Sequence, residues 1–314
     1  MTRGTQHFIG KAHGKIILIG EHAVVYGEPA IALPFKAAPV EVSIEKDTGP
    51  VSVSSDYYTG PLEDAPGKLE NIKVLLFEIG KELGQTINNL FIKITSHIPP
   101  ERGMGSSAAV STALIRALFQ YFNVQLNEEQ LLAYIDISEK IVHGNPSGID
   151  ARVTSSDAPI FYKKNQFFEP FPINISGYLI VADTGKKGQT SHAVADVATL
   201  FNDDYEKTTK LIQNIGERAI RAKLAIIHND LAALGTLLSQ THELLKELTV
   251  SDESLDHLVD TALKAGALGA KLTGGGRGGC MIALAQSERY AMVIKNKLIE
   301  QGAINTWVHA LEGE

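Results

Sequence analysis

The chain has 314 residues, of which 44% are hydrophobic, so it is long enough to build two packed domains. Its net charge is −7 without a block of lysines and arginines, which argues against nucleic acid as the main partner. No apolar run approaches the roughly 18 residues of a membrane span. The residues after Met1 form no apolar signal core and Cys280 is the single cysteine, so we expect a cytoplasmic protein with no membrane partner.

The hydrophobic pattern of the first half of the chain predicts a mixture of strands and helices. Apolar or alternating runs predict strands at 8–20, 40–44, 51–53 and 91–94, and helical patterns cover 69–83, 106–122 and 127–143. We expect the strand at 51–53 to pair with the strand at 40–44 across the turn at 48–50. Residues 54–67 have the composition of a loop, and residues 147–150 predict a further helical turn.

The second half follows a change in composition near residues 165–174. We place a domain boundary there, which divides the chain into residues 1–172 and 173–314. Beyond it the patterns predict strands at 178–182, 281–284 and 306–310, and helices over 191–246, 254–266 and 287–301. The glycine-rich run at 274–279 is expected to follow a helix directly and to lead into a strand.

Residues 98–109 carry the strongest functional pattern, because two prolines end an extended segment and two glycines precede an Ala-rich helix. Gly103 and Gly105 let backbone N–H groups approach a ligand closely. Ser106 and Ser107 open the helix, whose N-terminus carries a partial positive charge. The pattern therefore predicts a phosphate site, although either serine could instead be an ordinary N-cap.

Three common nucleotide-binding schemes fit this pattern poorly. Each Gly-Lys pair in the chain lacks the following Ser or Thr of a Walker A loop, and the Asp-Phe-Gly and His-Arg-Asp signatures of protein kinases are absent. Residues 103–108 match the dinucleotide pattern formally. However, the preceding strand alternates, and Glu128 and Glu129 begin a helix where an acidic residue should end a strand. A nicotinamide site is therefore disfavoured.

Four segments together resemble the GHMP kinase superfamily, in the order in which that superfamily has them. They are residues 14–27, 99–109, 143–150 and 271–280. The sequences of residues 20–27 (GEHAVVYG) and 143–150 (HGNPSGID) resemble those of the mevalonate kinase family, which belongs to this superfamily. The resemblance implies an α+β fold of two domains, the first ribosomal-protein-S5-domain-2-like and the second ferredoxin-like.

The same resemblance implies an activity and a set of site residues. The activity is Mg²⁺-assisted transfer of phosphate from ATP to the primary hydroxyl of mevalonate, by an enzyme that is compatible with a homodimer. Asp150 is implied as the general base, and Lys15 as the group that lowers the pKa of the hydroxyl or neutralises phosphoryl charge. Ser107 and Glu139 are implied as Mg²⁺ ligands. The nucleotide contacts are Lys15, Glu101, Arg102, Gly103, Met104, Gly105, Ser106 and Ser107, and the substrate contacts are Glu21, His22, Ser147 and Thr190.

Each of these roles has a plainer alternative. Asp150 could cap a helix with Ser147, and as a base it could accept the proton fully or only orient the hydroxyl. Lys15 and Glu139 could be solvated surface charges, and His22 a satisfied interior histidine.

Arg277 interrupts the last glycine run, where it either adds a charge near the phosphates or points to water. The competing functions are a GHMP kinase for another substrate, such as phosphomevalonate, and a silent ligand-binding protein. A silent protein should lack Asp150 or Glu139, and both are present.

Overall fold

The computed structural model describes residues 7–144, 146, 148–164 and 166–311, so Ser147 lies outside the described residues. The strands are β1 Phe8–Ile19, β2 Ala30–Lys46, β3 Ser52–Ser54, β4 Thr59–Pro61, β5 Leu90–Ser96, β6 Ile160–Lys163, β7 Phe167–Pro170, β8 Gly177–Asp183, β9 Gly269–Thr273, β10 Cys280–Ala285 and β11 Asn305–Leu311. The helices are α1 Glu70–Leu83, α2 Ser106–Tyr121, α3 Glu128–His143, α4 Ile149–Ser155, α5 Thr190–Asp203, α6 Tyr205–Ile227, α7 Leu231–Glu247, α8 Glu253–Lys264 and α9 Glu288–Glu300.

Two structural units interleave along the chain. The first unit takes the described residues up to Gly14, together with Ala38–Pro99 and Gly105–Ser156. The second takes Lys15–Ala37, Pro100–Met104 and the described residues from Asp157 onward. The domain boundary between residues 172 and 173 stays a prediction.

In the first unit, β5 lies between β2 and β3. Residues 40–46 of β2 pair antiparallel with β5, and β3 pairs parallel with β5 and antiparallel with β4. The prediction that residues 51–53 pair with β2 across the turn at 48–50 is therefore wrong, because β5 already occupies that edge of β2. The side chain of Asn89 accepts the N–H of Gly49 at 3.1 Å and holds the turn beside β5.

Helices α2, α3 and α4 pack on one another in the first unit. The predicted start of α3 is confirmed by a capping box, in which the side chain of Asn127 accepts the N–H of Gln130. A buried hydrogen-bond chain joins α1, α3 and α2. Asn71 Nδ2 of α1 donates to Ser138 Oγ at 2.9 Å, and Ser138 Oγ lies 2.6 Å from Ser111 Oγ of α2.

In the second unit, β2 continues through residues 30–32, which pair with β6, and β6 pairs with β7. A separate antiparallel sheet has the order β11-β8-β10-β9. The predicted helical stretch 191–246 consists of α5, α6 and α7. It is broken at Asp204 and Asp230, whose side chains accept the N–H groups of Lys207 and Ala233 and so begin new helices.

The prediction of a helix directly before the glycine-rich run is wrong, because strand β9 lies there. Its five residues are all buried and pair with β10, so residues 274–279 connect two antiparallel strands. The strand was missed because it is short and contains Lys271, which interrupts its apolar pattern. Within the described residues, no helix is both long enough and apolar enough to cross a membrane.

Glycine at position 269 lets β9 lie directly against α7. A methyl group placed on Gly269 would lie 1.8 Å from the carbonyl oxygen of Gly235, which is part of the α7 backbone. Because the methyl group would meet backbone atoms of Gly235, a change of side-chain rotamer could not relieve the collision. The two elements can therefore approach this closely only while the residue has no side chain.

We expect Gly269→Ala to lower the free energy of unfolding by about 1–3 kcal/mol or more, through overpacking against α7. The matched control is Gly67→Ala, because a methyl group there meets no described atom within 4 Å and the backbone is not left-handed. Urea unfolding of both variants measures the difference. Equal stability of the two variants would show that β9 and α7 separate readily.

Candidate active site

The N-terminus of α2 is not capped by a serine. Its N-cap is Gly105, with φ of 72° and no side-chain capping bond, so Ser106 and Ser107 are the first two helical residues. The serine N-cap alternative is therefore not what the structure shows. The hydroxyl of Ser107 is buried and has no hydrogen-bond partner among the described residues. Because a buried hydroxyl normally has a partner, this atom is a candidate ligand contact.

Two further predicted residues lie on the helices that pack with α2. Glu139 of α3 is 3% exposed, so the solvated-charge alternative is wrong, and one of its carboxylate oxygens lies 3.7 Å from Nε2 of His143. Asp150 is the second residue of α4, which begins after Gly148 in a left-handed conformation. The capping alternative involves Ser147, which lies outside the described residues. The first unit thus brings Ser107, Glu139 and Asp150 onto three mutually packed helices.

The second unit holds Lys15 next to the segment before Gly105. Lys15 is 5% exposed within β1, so the surface-charge alternative is wrong, and its backbone N–H donates to the carbonyl of Met104 at 2.9 Å. A methyl group on Gly103 would lie 3.4 Å from the Cα of Gly274. The predicted nucleotide segment therefore lies in contact with the glycine-rich turn between β9 and β10.

A buried ion pair joins Glu21 to Lys271. The exposed fractions of the two side chains are 1% and 0%, and Lys271 Nζ also donates to the carbonyl of Leu272 at 2.6 Å. Burial raises the pKa of Glu21 and lowers that of Lys271, while the opposite charge of each acts against the shift of the other. The second carboxylate oxygen of Glu21 is buried and has no hydrogen-bond partner among the described residues. It can accept a hydrogen bond from a substrate.

His22 is neutral at physiological pH, because burial lowers its pKa to about 4. Its Nε2 lies 3.0 Å from the carbonyl oxygen of Gly275. A carbonyl can only accept, so Nε2 carries the proton and Nδ1 is the acceptor nitrogen of the ring. His22 is thus an interior histidine that can still accept a hydrogen bond from a hydroxyl.

Thr190 meets the same glycine from another direction. It is the first residue of α5, and a methyl group on Gly275 would lie 2.0 Å from Thr190 Oγ1. Glycine at position 275 is therefore what allows Thr190 to approach the turn that also receives His22. His22 and Thr190 therefore converge at Gly275, and their roles as substrate contacts stay predictions.

Arg277 is bound to two other residues of the second unit, which the sequence did not predict. Its guanidinium pairs with Asp196 of α5 and donates to the carbonyl and hydroxyl oxygens of Thr249 at 3.1 and 3.3 Å. The side chain therefore does not simply point to water, and the alternative of a charge near the phosphates stays a prediction. Sequence reasoning also missed Lys271 as the partner of Glu21, although Lys271 stands at the start of the last matched segment.

The chain is similar to one group of enzymes along almost its whole length. The family GHMP kinases N terminal domain matches residues 71–156, and the family GHMP kinases C terminal matches residues 222–304. A Pyrococcus horikoshii protein named mevalonate kinase is 33% identical over 305 residues, which cover 89% of each chain. The crystal structure of L. major mevalonate kinase in complex with R-mevalonate has a TM-score of 0.87 at 29% identity, covering 100% of this chain and 98% of that one. Mevalonate kinase from methicillin-resistant Staphylococcus aureus is 33% identical, with a TM-score of 0.76 and coverage of 98% and 100%.

Removing Lys271 should leave Glu21 as an unpaired buried carboxylate. We expect Lys271→Met to lose about 3–5 kcal/mol of stability at neutral pH. Without Lys271 the pKa of Glu21 rises further above its unfolded value of about 4.3, so the folded variant binds a proton more tightly than the unfolded chain. The stability deficit is therefore smallest at acidic pH and grows as the pH rises through and above that value.

Denaturant unfolding at a series of pH values measures this deficit against the wild type. The control is the double variant Lys271→Met/Glu21→Gln, which removes both charges and should lack the pH-dependent part. A deficit in Lys271→Met that does not change with pH would contradict the assignment of a paired Glu21 carboxylate.

Proposed function

The chain belongs to the mevalonate kinase family of the GHMP kinase superfamily, and we propose that it transfers the γ-phosphoryl group of ATP to the primary hydroxyl of (R)-mevalonate, giving 5-phosphomevalonate and ADP. The structural observation that carries this proposal is the buried Ser107 hydroxyl, which has no described partner at the glycine-led start of α2. We place the reaction in the cytoplasm, since a single cysteine fits a reducing compartment.

The start of α2 suits the phosphates of ATP. The first N–H groups of a helix have no partner within the helix, and the helix dipole favours negative charge there. Gly105 has no side chain that would compete for these groups. The residues from Glu101 to Ser107 therefore bind the triphosphate mainly through the backbone, and Lys15 supplies a positive charge to it.

The donor chemistry fits Mg²⁺ as the cation of the bound nucleotide. The Ser107 hydroxyl and the Glu139 carboxylate are hard oxygen ligands on the packed helices α2 and α3. Within the described residues, no cluster of three or more His, Cys, Asp or Glu side chains could form a complete protein cage. Mg²⁺ usually takes only one or two protein ligands and completes its shell with phosphates and water. When bound, the ion would neutralise charge on the phosphate oxygens.

Proton transfer falls to Asp150. Its position at the start of a helix that packs on α2 and α3 orients the carboxylate. A carboxylate oxygen in this place can receive the proton of the attacking hydroxyl as the bond from that hydroxyl to phosphorus forms and the bond from phosphorus to ADP breaks. Lys15 stabilises the negative charge that develops during the transfer.

Substrate recognition uses acceptors in the second unit. The second carboxylate oxygen of Glu21 and the Nδ1 of His22 can both accept hydrogen bonds from substrate hydroxyls. Thr190 and Ser147 are the two further substrate contacts of this proposal. The basic residues of the loop before Thr190 are engaged within the chain. Lys186 lies 3.6 Å from Asp252, and Lys187 lies 2.6 Å from Glu101. This arrangement favours a free hydroxyl over an additional phosphate dianion.

Purified protein with MgATP should release ADP when mevalonate is added, and should need Mg²⁺ to do so. We expect kcat/KM to be at least about 10²-fold lower with phosphomevalonate, because Lys186 and Lys187 are already paired and the added phosphate is repelled by ATP. A coupled ADP assay with both substrates measures this ratio. A preference for phosphomevalonate would contradict the assignment of mevalonate as the substrate. If the protein released no ADP with any alcohol, a silent binding protein would be favoured.

Asp150→Asn keeps the size of the side chain but cannot accept a proton. We expect kcat to fall at least about 10²-fold while the affinity for ATP stays near that of the wild type. Steady-state kinetics and nucleotide titration measure the two quantities. The control is Asp136→Asn on α3, whose exposed carboxylate pairs with Lys140. Near-normal turnover by folded Asp150→Asn would leave Asp150 with a structural role.

A further inference from the structure

Arg102 and Asp183 form a buried ion pair within the second unit. Nε of Arg102 donates to Oδ1 of Asp183 over 2.8 Å, and only 11% and 1% of the two side chains are exposed. The same oxygen accepts the N–H of Gly185 at 2.8 Å. Asp183 is the last residue of β8, and both β10 and β11 pair with it there. The sheet therefore fixes the backbone of Asp183, and the bonds to Arg102 and Gly185 hold its carboxylate.

The rest of the guanidinium is also bonded to the chain. Nη2 donates to the carbonyl of Gly185 at 3.1 Å, and Nη1 donates to the carbonyl of Pro100 at 3.3 Å. Each of the three nitrogens thus has an acceptor within the protein. Because the guanidinium is planar and rigid, these bonds fix its orientation before a ligand arrives.

The backbone around Arg102 has a conformation that needs such support. Residues 100–104, here called the arginine segment, include Glu101 with φ of 58° and Gly103 with φ of 75°. A left-handed conformation is uncommon for a residue with a side chain. The loop of residues 183–189, here called the bracing loop, holds Glu101 as well. Gly188 donates its N–H to the Glu101 carbonyl at 3.0 Å.

We propose that Asp183 is a positioning residue for ATP, acting through Arg102. The ion pair holds the arginine segment in the shape in which its backbone N–H groups can meet phosphate oxygens. Binding is tighter when donors are ordered in advance, because less freedom is lost when the ligand arrives. This inference rests on the proposed function, and it gives Arg102 an indirect role in place of the nucleotide contact expected from the sequence.

Direct contact and positioning predict different effects of Asp183→Asn on the binding of a non-hydrolysable ATP analogue with Mg²⁺, measured by calorimetry. If Arg102 acts through Asp183, we expect Asp183→Asn and Arg102→Met each to weaken binding at least about fivefold. The double variant should then bind the analogue no more weakly than the single variant with the lower affinity, because the two residues act as one unit. If Arg102 touches the phosphates directly, removing the negative charge in Asp183→Asn leaves the affinity unchanged or raises it. That result would overturn the proposal.

Two controls separate positioning from a general loss of structure. Leu298→Ala removes a fully buried side chain of α9 and should lower stability while the affinity for the analogue stays within about twofold. Arg102→Lys keeps a charge for Asp183 but loses the planar fork, so it should retain part of the affinity. The affinity for mevalonate should change by less than about twofold in every folded variant, since positioning acts on one ligand. Equal weakening of both ligands would refute the inference.

If Asp183→Asn does not fold, hydrogen exchange of the ligand-free Arg102→Met variant distinguishes a positioning role of Arg102 from direct ligand contact. The amides of Gly188 and Lys15 donate to the carbonyls of Glu101 and Met104, so they report on the arginine segment. In Arg102→Met we expect both amides to exchange about tenfold faster, whereas a residue that only contacts ligand would leave them unchanged. Wild-type protein that binds no ATP analogue would refute the proposed function itself. Wild-type binding with unaffected variants would refute only this inference.

Discussion

The buried ion pair of Glu21 and Lys271 is the interaction on which the candidate substrate site depends. Two full charges without access to water are tolerated only when they satisfy each other, so the chain after β1 must meet β9 at this point. A second bond strengthens the same junction, because the Thr273 hydroxyl donates to the carbonyl of Ile17 at 2.8 Å. His22 follows Glu21 directly, and the glycine-rich turn follows Thr273. The ion pair therefore sets where these two segments face each other.

The second constraint is how closely backbone segments approach around that junction. Gly103 and Gly274 are in contact, each with positive φ, and Gly275 leaves room for Thr190. A side chain at Gly275 would collide with Thr190, whereas at Gly103 and Gly274 the left-handed backbone disfavours a side chain. The glycine-rich run thus does more than offer N–H groups to a ligand. It allows three loops of the second unit to share one small region.

Several charged residues of the matched segments brace loops within the protein. Arg102 is bound to Asp183, Arg277 is bound to Asp196, and the Lys187 ammonium lies 2.6 Å from the Glu101 carboxylate. A charge within a phosphate-binding pattern is therefore not necessarily a phosphate ligand. Its partner depends on which other segment the fold brings beside it, and a buried pair such as Arg102 with Asp183 resists screening by salt.

The sequence by itself determined the local elements and the chemistry that they could carry. The helices α1, α2 and α3 follow from apolar periodicity with recognisable starts, and the glycine turn before Ser106 predicts a helix N-terminus open to phosphate. Only the tertiary structure decided the order of β3 and β5, the existence of β9, the burial of Lys15 and the partner of Arg277. The physical reason is the range of the forces involved. Propensity and capping act over a few residues, whereas Glu21 and Lys271 are 250 positions apart and meet only because the fold removes both from water.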